Sequence, residues 1–188
     1  MRKNGDNSGQ ISIHTRITNS AAVRTKENRM AQVDGNVVIV AIGNELRGDD
    51  GAGILFGKLL SGDKSINIIN AGDAPENYTE VITGRRPDTI LIADAMDYGG
   101  NPGDVMLVPG DRLAKESSST HGSLRLFVDF LGKISSAKIF VLGFQPKSIA
   151  LGDDISPEVY ESVKKTADNI IAGESISQTV SLMSSEYC

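Results

Sequence analysis

Six consecutive apolar residues, Val37-Val38-Ile39-Val40-Ala41-Ile42, run directly into Gly43-Asn44-Glu45-Leu46-Arg47-Gly48-Asp49-Asp50-Gly51-Ala52-Gly53, and this junction constrains the fold more than any other stretch. An apolar run of strand length closed by glycine reads as a buried strand, and helical spacing resumes at Ala52, so the unit is strand, loop, helix. In an open α/β sheet, ligands occupy the crevice beyond the carboxyl ends of the strands; a strand ending in glycines and acids therefore marks a candidate site. The two carboxylates also narrow the ligand. A phosphate cradle turns backbone N–H groups toward an anion, which paired acids repel unless a metal intervenes. With neither G-x-G-x-x-G nor G-x-x-x-x-G-K-[ST] here, the loop suits a cation.

Short apolar runs and helical segments then alternate. Strands are expected at Val37–Ile42, 66–69, 89–93, 105–108 and 138–142, and helices at Ala52–Leu60 and from about Glu76. Leu124, Phe127, Val128 and Leu131 follow the i, i+3, i+4, i+7 spacing of one helix face. Ser156-Pro157-Glu158 supplies an N-cap, a first-turn proline and an acid, after which Val159, Val163, Ala167 and Ile170 line a closing helix that Gly173 stops. This alternation implies an α/β fold, three layers of α/β/α around a mainly parallel central sheet with a phosphorylase/hydrolase-like arrangement. No internal repeat is present. Residues 1–33 lack sustained periodicity and read as a disordered tail, 34–173 as one domain, and the Ser-rich 174–188 as a frayed end.

At 188 residues the chain fits one domain with a substantial core. Its 19 Lys+Arg against 24 Asp+Glu, a formal charge of -5, argue against an electrostatic nucleic-acid binder. The single cysteine, Cys188, is terminal, which excludes a disulfide framework and a cysteine-rich metal site. No apolar run approaches the roughly 18 residues of a membrane span, and the N-terminus has no secretory h-region. The expectation is a cytoplasmic protein without membrane attachment.

Asp94 closes the run Thr89-Ile90-Leu91-Ile92-Ala93, so it belongs at a strand's carboxyl end, as the Asp49-Asp50 loop does. If the two strands are neighbours, Asp50 and Asp94 share one crevice. The plainer reading of Asp94 is a cap at a strand end, and of Asp49 a cap on the helix that follows. Asp97 lies in a loop of turn formers and reads as a turn acid bonding its own backbone. His14 is a tail histidine without context, whereas His121 stands between a polar loop and the best helix, at a sheet rim. Two carboxylates and an imidazole make a common transition-metal ligand set with open positions.

Together these residues resemble the nickel–iron hydrogenase maturation endopeptidases. The family's Gly-Asn-x-x-x-x-Asp-(Asp/Glu)-Gly-x-Gly stands here as Gly43 to Gly53, and its acid-ended strand and Gly/Pro loop as Leu91-Ile92-Ala93-Asp94-Ala95 through Asn101-Pro102-Gly103. Its Thr-His element stands as Thr120-His121, and its Gly-x-Gln-Pro strand end as Gly143-Phe144-Gln145-Pro146. Ala74-Pro75-Glu76-Asn77 and the Asp49-Asp50 pair look most like the formate-hydrogenlyase and archaeal branch. The chain departs from many relatives at Asn70, where they carry an acid.

The resemblance implies an endopeptidase that removes a C-terminal extension from the hydrogenase large-subunit precursor after nickel insertion. It implies that the precursor's own nickel is the recognition element, held in part by Asp50, Asp94 and His121; nickel could then polarise a carbonyl or activate water, with Asp49 or a spare carboxylate oxygen handling the proton. No organic cofactor is implied, and the partner is the nickel-loaded precursor, met by a monomeric protease. A nickel-dependent checkpoint or chaperone that docks without cutting is the rival, since the same ligands would serve it. A nucleotide-binding module, resting on fold analogy alone, is weakened by the acidic loop.

Overall fold

The computed structural model describes residues 33–113, 118–119, 124–176 and 181–182. Its strands are β1 (Val37–Ile42), β2 (Asn67–Gly72), β3 (Thr89–Asp97), β4 (Val105–Pro109), β5 (Ser118–Ser119), β6 (Lys138–Phe144) and β7 (Ser181–Leu182). The helices are α1 (Ala52–Leu60), α2 (Thr79–Gly84), α3 (Leu124–Ile134) and α4 (Pro157–Ile171), with 3₁₀ turns at Gly48–Gly51, Pro75–Tyr78 and Gly110–Arg112.

The sheet runs β2-β1-β3-β6-β4-β7, with β5 attached to β3. The β1/β2, β1/β3 and β3/β6 pairs are parallel, while β4 joins β6 antiparallel, so the sheet is mainly parallel as expected. Parallel neighbours require crossovers, and helices α1 and α2 carry the chain between β1, β2 and β3. Successive side chains of a strand leave on opposite faces. On one face Val38, Val40, Ile42, Ile90, Ile92 and Met96 meet Ile82 of α2 and Leu124, Phe127, Val128 and Leu131 of α3. On the other, Ile39, Leu91, Ala93, Leu107 and Leu142 meet Ala52, Phe56 and Leu60 of α1 and Val159, Val163 and Ala167 of α4. Burial on both faces explains why the strands read as unbroken apolar runs rather than alternating ones. Among the described residues no helix is long and apolar enough to cross a membrane.

Several boundaries differ from the sequence reading. β2 starts at Asn67 rather than 66 and runs on through Asn70-Ala71-Gly72, because a shift in register beside Ala41 and Ile42 lets Gly72 pair with Ile42. β3 extends to Asp97 and β6 to Phe144, each supported by the other through the pairs Asp94 with Gly143 and Ala95 with Phe144. The helix expected from Glu76 is a 3₁₀ turn followed by six residues of α2. Within the end expected to fray, Ile176 is buried in the α1/α4 face and Ser181–Leu182 pairs with β4 at Met106 and Leu107. The expected tail, 1–33, lies outside the described residues up to position 32; Val33 itself packs against the core. Gly173, with φ 84°, does stop α4, as a left-handed glycine commonly does.

Candidate active site

β1 ends on Gly43, whose φ of 140° suits glycine; a Cβ at this position would stand 2.1 Å from the Asp50 carbonyl oxygen. No side chain fits there, so the loop folds back on the strand end; the Asn44 N–H donates to the Asp50 carbonyl at 3.2 Å. α1 then begins directly above the strand ends. A Cβ on Gly53 would lie 2.2 Å from both the Ile42 and Ala93 carbonyl oxygens, so the helix start touches the ends of β1 and β3 together. The register Ala41 opposite Ala93 brings Asp94 level with the end of β1, which places the Asp49-Asp50 turn and Asp94 at one edge of the sheet.

Asp49 and Asp50 are adjacent in sequence and unlike in use. Asp49 is fully buried. Its Oδ2 accepts from the Lys147 N–H at 2.8 Å, the Ser148 N–H at 3.1 Å and the Ser156 hydroxyl at 2.9 Å, and its Oδ1 accepts from the Ser156 N–H at 2.6 Å. Four donors occupy this carboxylate. Asp49 makes no side-chain cap on the turn or helix that follows it, which corrects the cap expected of it. Ser156, expected to cap α4 through its hydroxyl, instead spends that hydroxyl on Asp49 and makes no cap bond.

Asp50 and Asp94 are 1% and 0% exposed, so the pair lies beneath the surface rather than along an open crevice rim. Among the described residues neither Asp94 carboxyl oxygen has a hydrogen-bond partner. Burial, and then the Asp50 charge, hold the Asp94 carboxyl well above the usual carboxylate range, against a weaker opposing pull from the Ala95 N–H. That Asp50 acts on Asp94 at all reflects the convergence the strand order requires. An unpartnered buried carboxyl is costly and calls for an explanation in proton or cation binding.

By strand parity Asp94 shares the face of Ile90, Ile92 and Met96, which α3 covers. Its cross-strand partner is Gly143, and a Cβ there would meet the Met96 side chain at 2.7 Å, so the glycine of the Gly-x-Gln-Pro element makes room for Met96 on the strand that carries the acid. His121 lies outside the described residues. β5 ends at Ser119, paired with Met96, after Ser118 paired with Asp97, and therefore runs toward Asp94. Among the described residues no group of three or more His, Cys, Asp or Glu is placed to hold a metal ion.

Asp97 is the turn acid expected of it, accepting from the Gly99 N–H at 3.1 Å. It also accepts from Gln145 Nε2 at 3.0 Å, and that bond, ahead of the Gly99 one, lowers its carboxyl below the ordinary value. In the sequence Gln145 is a motif letter without a role. In the fold its Oε1 accepts from the N–H groups of Tyr98 and Gly100, both at 3.0 Å, fastening the loop after β3 to the end of β6. Asn70 turns to α1, where a Cβ on Gly57 would be 2.3 Å from its Oδ1.

The hydrogenase maturation protease family model, HycI, matches residues 57–173. A Methanocaldococcus jannaschii protein provisionally named a hydrogenase maturation protease is 36% identical over 146 residues, 72% of this chain and 83% of its own. The hydrogenase 3 maturation protease of Escherichia coli K12 is 32% identical over 131 residues, 68% of this chain and 83% of its own. Among solved structures, the [NiFe] hydrogenase maturation protease HycI of Thermococcus kodakarensis superposes with a TM-score of 0.67 at 30% identity, over 73% of this chain and 90% of that one. The solution structure of an endopeptidase HycI from Escherichia coli gives 0.66 at 27% identity, with the same coverage. On this combination of sequence and architecture, the chain belongs to the hydrogenase maturation protease family and is an endopeptidase.

Proposed function

We propose that this protein cleaves the C-terminal extension from a nickel–iron hydrogenase large-subunit precursor once nickel has been inserted, and that it reads the nickel through Asp50, Asp94 and His121. The observation that carries the reading is Asp94: a fully buried carboxyl with neither oxygen hydrogen-bonded among the described residues, under the influence of the Asp50 charge and level with the end of β1 in a protease-family fold. In the free protein the proton on Asp94 relieves the cost of two close carboxylates. The substrate's nickel brings positive charge into that place, so Asp94 releases its proton and both carboxylates become ligands. Oxygen donors and an imidazole suit nickel, and three ligands leave positions for the groups the precursor supplies.

The chain's share of the chemistry is positioning. Nickel held against Asp50 and Asp94 fixes the attached peptide relative to the sheet edge, and proximity of this kind is worth several orders of magnitude in rate. A metal-polarised carbonyl or water then supplies the electrophile or nucleophile, and the proton is handled by an oxygen of Asp50 or Asp94, Asp49 being engaged elsewhere. Membership of a protease family favours cleavage over docking alone. The test is incubation of the full chain with nickel-loaded and nickel-free precursor, read by mass. Loss of the extension only from the loaded form supports the proposal; an intact precursor in both arms, or equal cleavage of both, overturns it.

A further inference from the structure

Two loops near the Asp49-Asp50 turn each carry a leucine that faces solvent. Leu46, in the loop after β1, is 69% exposed, and Leu151, in the loop before α4, is 74% exposed. A scattered surface leucine needs no explanation. These two differ because their backbones are tied to one another. The Gly152 N–H donates to the Leu46 carbonyl at 2.8 Å, the Gly48 N–H to the Asp153 carbonyl at 3.0 Å, and the Asp49 N–H to the Ser148 carbonyl at 2.9 Å. The four bonds accepted by the Asp49 carboxylate complete the seam. Residues 46 and 151 are thus neighbours on a fastened double loop, and Asp50, whose N–H donates to the Arg47 carbonyl, belongs to the same structure.

We infer that Leu46 and Leu151 form an apolar lip that seats an apolar side chain of the peptide substrate next to the bond to be cut, an inference that rests on the proposed endopeptidase role. The occupant follows from the setting. A protease must hold its peptide against the turn that carries Asp50, and the double loop is bonded to that turn through Gly48 and Asp49. Apolar surface displayed on a backbone already fixed by hydrogen bonds binds with less backbone to order, which favours recognition. Asp49 thereby gains a second consequence: the carboxylate that locates Asp50 also holds the lip.

The test uses the full chain and nickel-loaded precursor, with Leu46→Ser, Leu151→Ser and the double variant. Contacts made equally in the bound substrate and the transition state change KM and leave kcat alone. Each substitution is expected to raise KM about tenfold, from partial loss of one leucine's burial, with kcat within about twofold and the melting temperature unchanged. Ile171→Ser, at the far end of the 15-residue α4, removes another exposed apolar group and should leave KM unchanged. If wild-type protein cleaves the precursor and the double variant does so with unaltered KM, or if Ile171→Ser has the same effect, the lip is overturned and the endopeptidase reading stands. A wild-type chain that cleaves nothing overturns both.

Discussion

Two buried carboxylates, Asp49 and Asp94, receive opposite treatment, and each gives a test. Asp49 accepts four hydrogen bonds from residues 147–156. Asp49→Ala leaves three backbone N–H groups and a hydroxyl without their acceptor, and should cost roughly 2–4 kcal/mol in denaturant unfolding, with loss of cleavage as the Asp50 turn loosens. Asp94 carries the reverse sign. A carboxyl raised above its unfolded value holds its proton more tightly when folded, so stability falls as pH climbs from the ordinary carboxylate range through the raised value. Asp94→Asn removes that cost. The variant should melt above wild type at neutral pH and converge with it on acidification, while processing is lost. Equal melting at every pH would show that Asp94 bears no such burden.

At the scale of the element, α1 decides whether the strand ends become a site. Its first turn rests on the carbonyls of Ile42 and Ala93 through Gly53, where a Cβ would stand 2.2 Å from each. Backbone cannot yield as a flexible side chain does, so Gly53→Ala must lift the helix from the sheet. Roughly 2–4 kcal/mol of destabilisation in thermal or denaturant melts is expected, together with loss of cleavage. Gly57→Ala, against Asn70, meets a side-chain oxygen and has room to adjust. Its effect should be the smaller of the two, and a reversal of that order would contradict this account of how α1 is seated.

For the whole molecule the expectation concerns where nickel resides. With Asp50 and Asp94 as oxygen donors and no central thiolate in the chain, the isolated protease should bind nickel weakly, and tight association should require the loaded precursor. Calorimetry with nickel alone, beside pull-down with loaded precursor, checks this; cleavage of metal-free precursor at the normal rate under a strong chelator would refute it. Deleting residues 1–32 should leave cleavage intact, since the sheet, its two helical faces and both acids are supplied from Val33 onward. Loss of processing by a truncated chain that still folds would assign the segment to substrate binding.

The sequence by itself determined which segments are buried, because apolar run length and helical spacing are local quantities. Val37–Ile42 and Ala52–Leu60 have the bounds their residues imply, and Leu124, Phe127, Val128 and Leu131 line the buried face of α3. Motif order alone pointed to the family, whereas Asp94, read as closing its strand, lies inside β3, which runs on to Asp97. Tertiary structure decided the rest. β2, β3 and β6 run past their apolar stretches because a neighbouring strand supplies the hydrogen bonds, a condition no single segment records. That Asp49 is tied into the loop before α4 follows from donors about a hundred positions downstream, at Lys147, Ser148 and Ser156. Gln145 likewise acquired its role only where the end of β6 lies beside the loop after β3. A carboxylate's function depends on what surrounds it in space, and spacing along the chain carries no measure of that.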